Sequence, residues 1–167
     1  TGACAVLCRY CFRRECPYAE QSTRGSRRDT VVDELQADRE ITEVILSGGD
    51  PLVNNDLKII ELIDFFNNFS TICRVRLHTR LPVVIPARVT GSLVRGLAQP
   101  RSAKLVMVLH VNHAREIDSG VRRAMSRLAS CGITLLNQAV LLKGINDSAK
   151  AQQALSEACF AAGILPY

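Results

Sequence analysis

Three cysteines with the spacing of metal ligands stand at the start of the chain. Cys4, Cys8 and Cys11 form the pattern C-x3-C-x2-C. Thiolates are soft ligands for zinc and iron, and three so close in sequence can surround one metal centre from a single loop. A structural zinc site and an electron-transfer [4Fe-4S] cluster both take four ligands. A cluster with three cysteines leaves one iron open, so the spacing alone indicates either an open iron–sulfur cluster or a zinc site completed from elsewhere.

A second group of candidate residues follows apolar segments further along the chain. Gly48-Gly49-Asp50 comes directly after one such segment, and polar residues also cluster at 78–80, 110–113 and 137–138. A glycine pair after a strand lets the backbone approach a ligand closely, and a neighbouring carboxylate can receive an ammonium group. These segments are therefore candidates for a ligand site.

Strand and helix patterns alternate along most of the sequence, and they must position these residues. Apolar spacing and turn signals predict strands at 43–46, 74–79, 104–110 and 134–142, helices at 29–38, 56–67, 90–98, 117–130 and 148–162, and the beginning of a further strand at 163–167. The alternation favours an α/β protein with a parallel sheet, either an open doubly wound sheet or a barrel. Both architectures gather binding residues at the carboxyl ends of the strands, where the polar segments fall.

The composition is that of an ordinary globular protein. With 167 residues, a net charge of +5 and 47% hydrophobic residues, it excludes collagen, disorder and a disulfide mini-protein, and predicts one domain over residues 1–167. No apolar run suits a membrane helix and no signal stretch is visible, so a cytoplasmic location without a membrane partner is expected. Seven cysteines, three of them among the first eleven residues, suit metal ligation better than disulfides. Basic residues would suit nucleic acid, but no aromatic interleaving supports that partner.

Five blocks of sequence resemble, in order, the lysine 2,3-aminomutase family of the radical S-adenosylmethionine (SAM) superfamily. The blocks are C-R-Y-C-F-R-R at 8–14, I-L-S-G-G-D-P-L at 45–52, R-L-H-T-R-L-P-V-V-I-P-A-R at 76–88, H-V-N-H-A-R-E-I at 110–117 and L-L-N-Q-A-V-L-L-K-G-I-N-D at 135–147. They cover essentially the whole chain. The first block, Pro17-Tyr18 soon after it and His78 in the third block are most similar to the branch that makes (R)-β-lysine for attachment to translation elongation factor P.

The resemblance implies a role for each of nine residues. The predicted cluster ligands are Cys4, Cys8 and Cys11, the predicted SAM-binding residues are Gly48, Gly49, Asp50, His110 and Gln138, and Arg13 is predicted to hold the α-carboxylate of the substrate. A planar, forked guanidinium suits that last task. No residue of the chain is predicted to be catalytic in the narrow sense.

The same resemblance implies the fold, the cofactors and the reaction. We expect a partial (β/α) barrel, truncated at both ends, which lacks most of its first strand and everything after the sixth. The implied cofactors are a [4Fe-4S] cluster, SAM and pyridoxal phosphate (PLP), with the PLP lysine and the acidic residues for the substrate ammonium expected beyond Tyr167. The implied enzyme is an isomerase that converts L-lysine to (R)-β-lysine by moving the amino group from carbon 2 to carbon 3. Its electron donor would be a flavodoxin or a ferredoxin.

Several residues allow a plainer interpretation. Leu7 stands where the family often has a polar residue, and Cys16 is an extra thiol that is interpreted as a small apolar residue or as a fourth ligand competing with SAM. Cys73, Cys131 and Cys159 lie in apolar contexts and are predicted to be buried structural thiols. His113 is either a helix-start residue or a cofactor contact, and Asp147 is interpreted as a helix cap.

Three alternatives remain open from the sequence. The same chemistry could act on free lysine or on glutamate. A zinc-binding module that contacts nucleic acid through the basic run at 24–28 is the alternative from another class. The third is that this chain alone binds and cleaves SAM without aminomutase turnover.

Overall fold

The computed structural model describes residues 3–11 and 26–167. Within these residues it contains one parallel sheet with strands β1 (Glu43–Leu46), β2 (Arg74–Thr79), β3 (Lys104–Leu109), β4 (Thr134–Asn137) and β5 (Leu165–Pro166). The α-helices are α1 (Ser26–Ala37), α2 (Asp56–Asn67), α3 (Leu81–Val84), α4 (Gly91–Leu97), α5 (Ser119–Ala129) and α6 (Ala149–Ala161). None of the helices in the described ranges is long and apolar enough to cross a membrane.

The order of the strands decides between the two predicted architectures. Each strand pairs in parallel with the next one along the chain, giving the order β1-β2-β3-β4-β5. Parallel crossovers are right-handed, so a purely sequential order keeps the connecting helices on one face, whereas a doubly wound sheet reverses its order at a switch point. The sheet is therefore of the barrel type, and the predicted α/β class with a partial (β/α) barrel is confirmed.

Alternate strand residues point into the core between the sheet and the helices. Val75 and Leu77 of β2 pair with Leu105 and Met107 of β3, and all four belong to the main hydrophobic cluster. Val108, which is also fully buried, lies outside that cluster and so faces the other side of the sheet. This second face is the inner face of the partial barrel, because side chains alternate between the two faces of a strand.

The helices pack on the outer face through apolar stripes with helical spacing. In α5 the buried residues Val121, Ala124, Met125 and Leu128 recur at the three- and four-residue intervals that place them on one side. The helix begins where Asp118 accepts a hydrogen bond from the amide of Val121, which satisfies one of the free donors at a helix start. The strand and helix patterns of the sequence are thus consistent with the packing.

The predicted strand at 134–142 is wrong beyond Asn137. The amide of Val140 donates to Oδ1 of Asn112 at 2.8 Å, and the amide of Leu142 donates to Oδ1 of Asn146 at 2.6 Å. Side-chain acceptors thus replace the partners of a sheet ladder, and the chain turns across the edge of the sheet.

Three smaller predictions also differ from the structure. The segment between β2 and α4, for which no helix was predicted, contains the short helix α3, because Pro82 sits in its first turn, where a proline is tolerated. Asp147 does not cap α6; it accepts from the amide of Gly144, and Ser148 is the cap. The thiol of Cys73 is exposed, since this residue directly precedes β2, at the amino end of that strand.

Candidate functional site

The loop that carries the three cysteines, residues 3–11, lies against the carboxyl end of β1. The amide of Asp50 donates to the carbonyl oxygen of Ala3 at 2.9 Å. A Cβ at Gly49 would collide with that same oxygen and lie 2.6 Å from the amide nitrogen of Ala3. Gly48 has a φ of +108°, a conformation that only glycine adopts readily. The Gly-Gly-Asp segment therefore seats this loop, which we call the cysteine loop, on the edge of the sheet.

The thiols of the cysteine loop are accessible and are not paired in disulfides. Cys4 is exposed, Cys8 and Cys11 are half-buried, and a backbone hydrogen bond of 3.1 Å from Cys11 to Cys8 closes a turn between the last two. Burial raises the pKa of the Cys4 thiol, the backbone amide of Asp50 opposes that rise, and the charges of Asp50, Cys11 and Cys8 add to it. A bound cation near Cys4 would oppose these effects and favour its thiolate form.

The described residues do not contain a preformed metal site. No three His, Cys, Asp or Glu side chains in ranges 3–11 and 26–167 are gathered closely enough to hold a metal ion. The donor set of the cysteine loop nevertheless fits an iron–sulfur cluster in its chemistry, since three soft thiol ligands lie within residues 3–11. The assignment of these cysteines as cluster ligands stays a prediction.

Asp50 connects three parts of the site through its carboxylate. Oδ1 accepts from the amide of Leu52 at 3.0 Å and from Oγ1 of Thr79 at 2.7 Å. Oδ2 accepts from the amides of Arg80 and Leu81 at 2.7 and 3.1 Å. An ionised carboxylate has about four lone-pair sites, so these four donors occupy its usual capacity. These bonds tie the end of β1 to the end of β2. They do not test the predicted contact of Asp50 with SAM.

Two histidines lie on neighbouring strands at this edge. The ring centroids of His78, in β2, and His110, which follows β3, are 5.8 Å apart. Burial lowers the pKa of His110, and the charge of His78 lowers it further. His110 is thus neutral at physiological pH, with one ring nitrogen as a donor and the other as an acceptor.

Gln138 lies beside His110, as the sequence predicted. Its amide donates to the carbonyl of Leu109 at 2.9 Å, which extends the pairing of β3 with β4 by one residue, and its side chain is exposed. The structure therefore brings His110, Gln138 and the Gly-Gly-Asp segment to one edge of the sheet. Arg13 and Cys16 lie outside the described residues.

A polar cluster that the sequence analysis did not assign to the site joins the cysteine loop to β2 and β3. We call it the Arg80 cluster; its members are Tyr10, Arg80, Asn112 and Glu116. The guanidinium of Arg80 donates to the hydroxyl of Tyr10, to the carbonyl of His110 at 3.1 Å and to Oε2 of Glu116 at 2.7 Å. Nδ2 of Asn112 donates to the hydroxyl of Tyr10 at 2.7 Å.

The sequence held one signal for this cluster. His113 and Glu116 have the spacing of a capping box, and in the structure Nδ1 of His113 accepts from the amide of Arg115 while Oε1 of Glu116 accepts from the amide of His113. His113 is thus a helix-start residue, as one of its two interpretations held. The capping box places Glu116 beside the strand ends, where it can receive an arginine.

A cleft of about 570 Å³ opens between the cysteine loop and the turn after β4. Its lining residues are Val6, Leu7, Cys8, Arg9, Tyr10, Arg80, Asn112, Glu116, Leu142 and Ile145. A smaller cavity of about 50 Å³ lies beneath the loop and is lined in part by Cys4, Cys8 and Asp50. Apolar walls with a few polar groups at one side are typical of cofactor pockets.

Comparisons with known proteins agree with this geometry. The family model of a 4Fe-4S single cluster domain matches residues 1–74. Over 99% of its length, the chain is 48% identical to an L-lysine 2,3-aminomutase of Haemophilus influenzae, of which it covers 49%. Similar coverage, 99% of the chain and 48% of the relative, accompanies 45% identity to an L-lysine 2,3-aminomutase of Escherichia coli. An L-lysine 2,3-aminomutase of Clostridium subterminale is 33% identical over 100% of the chain and 40% of its own length.

The described residues form an α/β protein with a barrel-type sheet and a loop with three cysteines, and residues 1–74 match a 4Fe-4S single cluster domain. The matches over the whole chain confirm its resemblance to the lysine 2,3-aminomutase family. The chain spans about half the length of the curated relatives named above.

Proposed function

We propose that this chain is the cluster- and SAM-binding part of a PLP-dependent aminomutase that converts L-lysine to (R)-β-lysine for the modification of elongation factor P. The observation that carries the proposal is the seating of the cysteine loop on Gly49 and Asp50, at the carboxyl edge of a barrel-type sheet. This edge is where barrel enzymes gather their chemistry. The three thiols and the SAM-binding segment that the family resemblance implies meet there.

Cys4, Cys8 and Cys11 would hold the cluster. A reduced [4Fe-4S] cluster with one open iron would supply an electron to SAM, and PLP, whose lysine is expected outside this chain, would carry the migrating amino group. The chain's own task is positioning. Gly49 admits the cysteine loop to within backbone contact of the sheet edge, and Asp50 fixes the strand ends beneath it.

The 570 Å³ cleft is our candidate for the adenosyl part of SAM. Leu142 and Ile145 supply apolar walls, and the aromatic ring of Tyr10 offers a surface for an adenine. His110 and Gln138 lie at the neighbouring strand ends, where polar groups of SAM would reach them.

The substrate assignment rests on the sequence. Arg13 would bind the α-carboxylate of lysine through its forked donors. The elongation factor P branch is favoured by the block C-R-Y-C-F-R-R with Pro17-Tyr18 and His78. A flavodoxin or ferredoxin would supply the electron.

The cluster assignment is tested by iron and sulfide analysis after anaerobic reconstitution. Single Cys→Ser variants at positions 4, 8 and 11 are expected to lose most of the bound iron, because three thiolates are the minimum for an open cluster. Cys73→Ser is the matched control, since that thiol is exposed near the opposite end of β2 and should leave the iron content unchanged. Zinc without sulfide, or equal iron in all four variants, would contradict the proposal.

The substrate is tested on the full-length protein that contains this chain. Supplied with SAM, PLP and a reductant, it is expected to form (R)-β-lysine from L-lysine, detected by chiral chromatography with mass spectrometry. L-glutamate is the competing substrate, and free lysine metabolism is distinguished by whether elongation factor P accepts the product. A β-amino acid formed from glutamate alone would contradict the assignment.

A further inference from the structure

Arg80 links four segments of the chain at one point. Its amide donates to Asp50, and its guanidinium reaches the hydroxyl of Tyr10, the carbonyl of His110 and the carboxylate of Glu116. Only 19% of the Arg80 side chain is exposed, against 24% for Glu116, so the ion pair is largely shielded from water. A partly buried arginine that uses several donors in fixed directions is more restrained than a surface ion pair.

Tyr10 is the member of this group that belongs to the cysteine loop. Its hydroxyl accepts from Arg80 and from Nδ2 of Asn112, and the guanidinium carbon lies 5.6 Å from the centroid of its ring. Tyr10 stands between Cys8 and Cys11 in sequence. The orientation of this ring therefore fixes the half of the loop that carries these two thiols, while Ala3 fixes the other half through Asp50.

Arg80 and Asn112 are themselves held independently of the loop. Oε2 of Glu116 binds Arg80, and Oε1 accepts from the amides of Asn112 and His113 at 2.8 and 2.9 Å. Oδ1 of Asn112 accepts from the amide of Val140. The donors to Tyr10 therefore have partners in the sheet edge even without the loop, so they offer a preorganised seat for it.

We propose that Arg80 is a positioning residue that acts through Tyr10 to hold the part of the cysteine loop with Cys8 and Cys11 at the sheet edge, where the cluster would bind. The inference rests on the proposed function, because it gives the held thiols their purpose. To that function the inference adds a contact across the strand ends, which sets the positions of Cys8 and Cys11. Arg80 also lines the cleft assigned to SAM, but its proposed role is to position the loop through Tyr10.

The test is thiol labelling of the full 167-residue chain in its cluster-free state. Pulses of iodoacetamide followed by peptide mass spectrometry give the alkylation rates of Cys8 and Cys11. The ratio of each rate to that of Cys73, an exposed thiol outside this site, is the quantity compared. Arg80→Met is expected to raise this ratio about fivefold, the effect of losing one hydrogen bond of typical net strength, and Tyr10→Phe, which also removes the bond from Asn112, at least as much. Arg122→Met, on the exposed side of α5, is the matched control and should leave the ratio unchanged.

The double variant separates positioning from general loosening. If Arg80 acts through Tyr10, adding Arg80→Met to Tyr10→Phe is expected to raise the ratio no further, because the hydroxyl on which Arg80 acts is already absent. Slow labelling of the buried Cys159 reports that each variant is folded. Should Arg80→Met unfold, Tyr10→Phe and the partial rescue expected from Arg80→Lys still decide the matter. Unchanged ratios in folded variants, or a double variant equal to the product of the two single effects, would overturn the proposal.

A second readout uses the reconstituted chain. The folded variants are expected to retain less iron, and the retained cluster should respond less to SAM in its electron paramagnetic resonance spectrum. Iron content and SAM response equal to those of the parent chain would contradict the proposal. If the parent chain itself takes up no iron, the proposed function fails, whereas the labelling experiment still tests the contact between Arg80 and Tyr10.

Discussion

Gly49 and Ala3 approach so closely that no side chain fits between them. The carbonyl oxygen of Ala3 occupies the space that a Cβ at position 49 would need, and the amide of the next residue, Asp50, donates to that oxygen at 2.9 Å. A glycine is therefore required here by the backbone of the cysteine loop. The Gly-Gly-Asp segment, to which the family resemblance assigns SAM binding, therefore seats the loop that carries the three cysteines.

Replacing Gly49 with alanine should displace the cysteine loop. The added Cβ meets backbone atoms of Ala3, which cannot rotate away, and overpacking of this kind costs about 1–3 kcal/mol. We expect Gly49→Ala to fold but to lose most of its iron on reconstitution. Gly91→Ala is the control, because its Cβ would meet the flexible ends of Arg95, at 3.2 Å, and of Arg127, at 3.9 Å. Full iron loading in Gly49→Ala would show that the close approach is dispensable.

Replacing Asp50 with asparagine should weaken the joint between β1 and β2. An amide nitrogen in place of Oδ2 would point a donor at the donating amides of Arg80 and Leu81. Leaving buried donors without an acceptor costs about 1–3 kcal/mol, measurable as a lower free energy of unfolding in urea. Asp38→Asn is the control, since its exposed side chain accepts from Glu40 through one oxygen that asparagine retains. Equal losses in the two variants would contradict this role.

The pKa of His110 is expected to lie below that of an ordinary histidine, because of the surroundings of its ring. Burial, and then the charge of His78, lowers its pKa below the ordinary 6.5. As the pH falls through 6.5, His110 therefore takes up a proton in the unfolded chain before it does so in the folded chain. The contribution of this group to stability is thus present above pH 6.5 and is lost as the pH falls below that value. NMR titration of the ring protons is expected to give a midpoint below 6.5, and His78→Gln should move it part of the way back. A midpoint at or above 6.5 in the parent chain would contradict the burial of this ring.

The packing of α4 on α2 offers a test of the outer layer. A Cβ at Gly96 would lie 2.6 Å from Cγ1 and 2.8 Å from Cδ1 of Ile60. Gly96→Ala should therefore lower the free energy of unfolding by about 1–3 kcal/mol, although alanine is the better helix former. The second change Ile60→Ala in the same chain should recover part of that loss, because it removes both crowded carbons. A simple sum of the two destabilisations would mean that the helices do not meet at these residues.

The fold was largely predictable because local signals agreed with the packing. Apolar residues bounded by polar or glycine residues gave the bounds of β1, β2 and α2 as they are in the structure. The strand β4 was overestimated, since the apolar run after Asn137 continues the strand pattern. The strand does not continue because the amide of Val140 donates to the side chain of Asn112, which lies far away in sequence.

The candidate site was predictable only in part for the same reason. The cysteine spacing and the glycine pair are local patterns, so the sequence indicated them. Arg80 and Tyr10 come from segments 70 residues apart, and nothing in one sequence couples them. The contact of Asp50 with SAM stays a prediction, and the sequence did not indicate its hydrogen bonds to Thr79, Arg80 and Leu81. Contacts between strand ends depend on the register of the sheet, which no local pattern states.

The central claim is that Cys4, Cys8 and Cys11 hold a cluster whose open iron binds SAM. Electron paramagnetic resonance of the anaerobically reconstituted, reduced chain, recorded with and without SAM, tests it most directly. We predict a [4Fe-4S] signal whose g values change when SAM is added, and the loss of that signal in Cys8→Ser. A cluster signal indifferent to SAM, or a chain that binds zinc and forms no cluster, would contradict the claim.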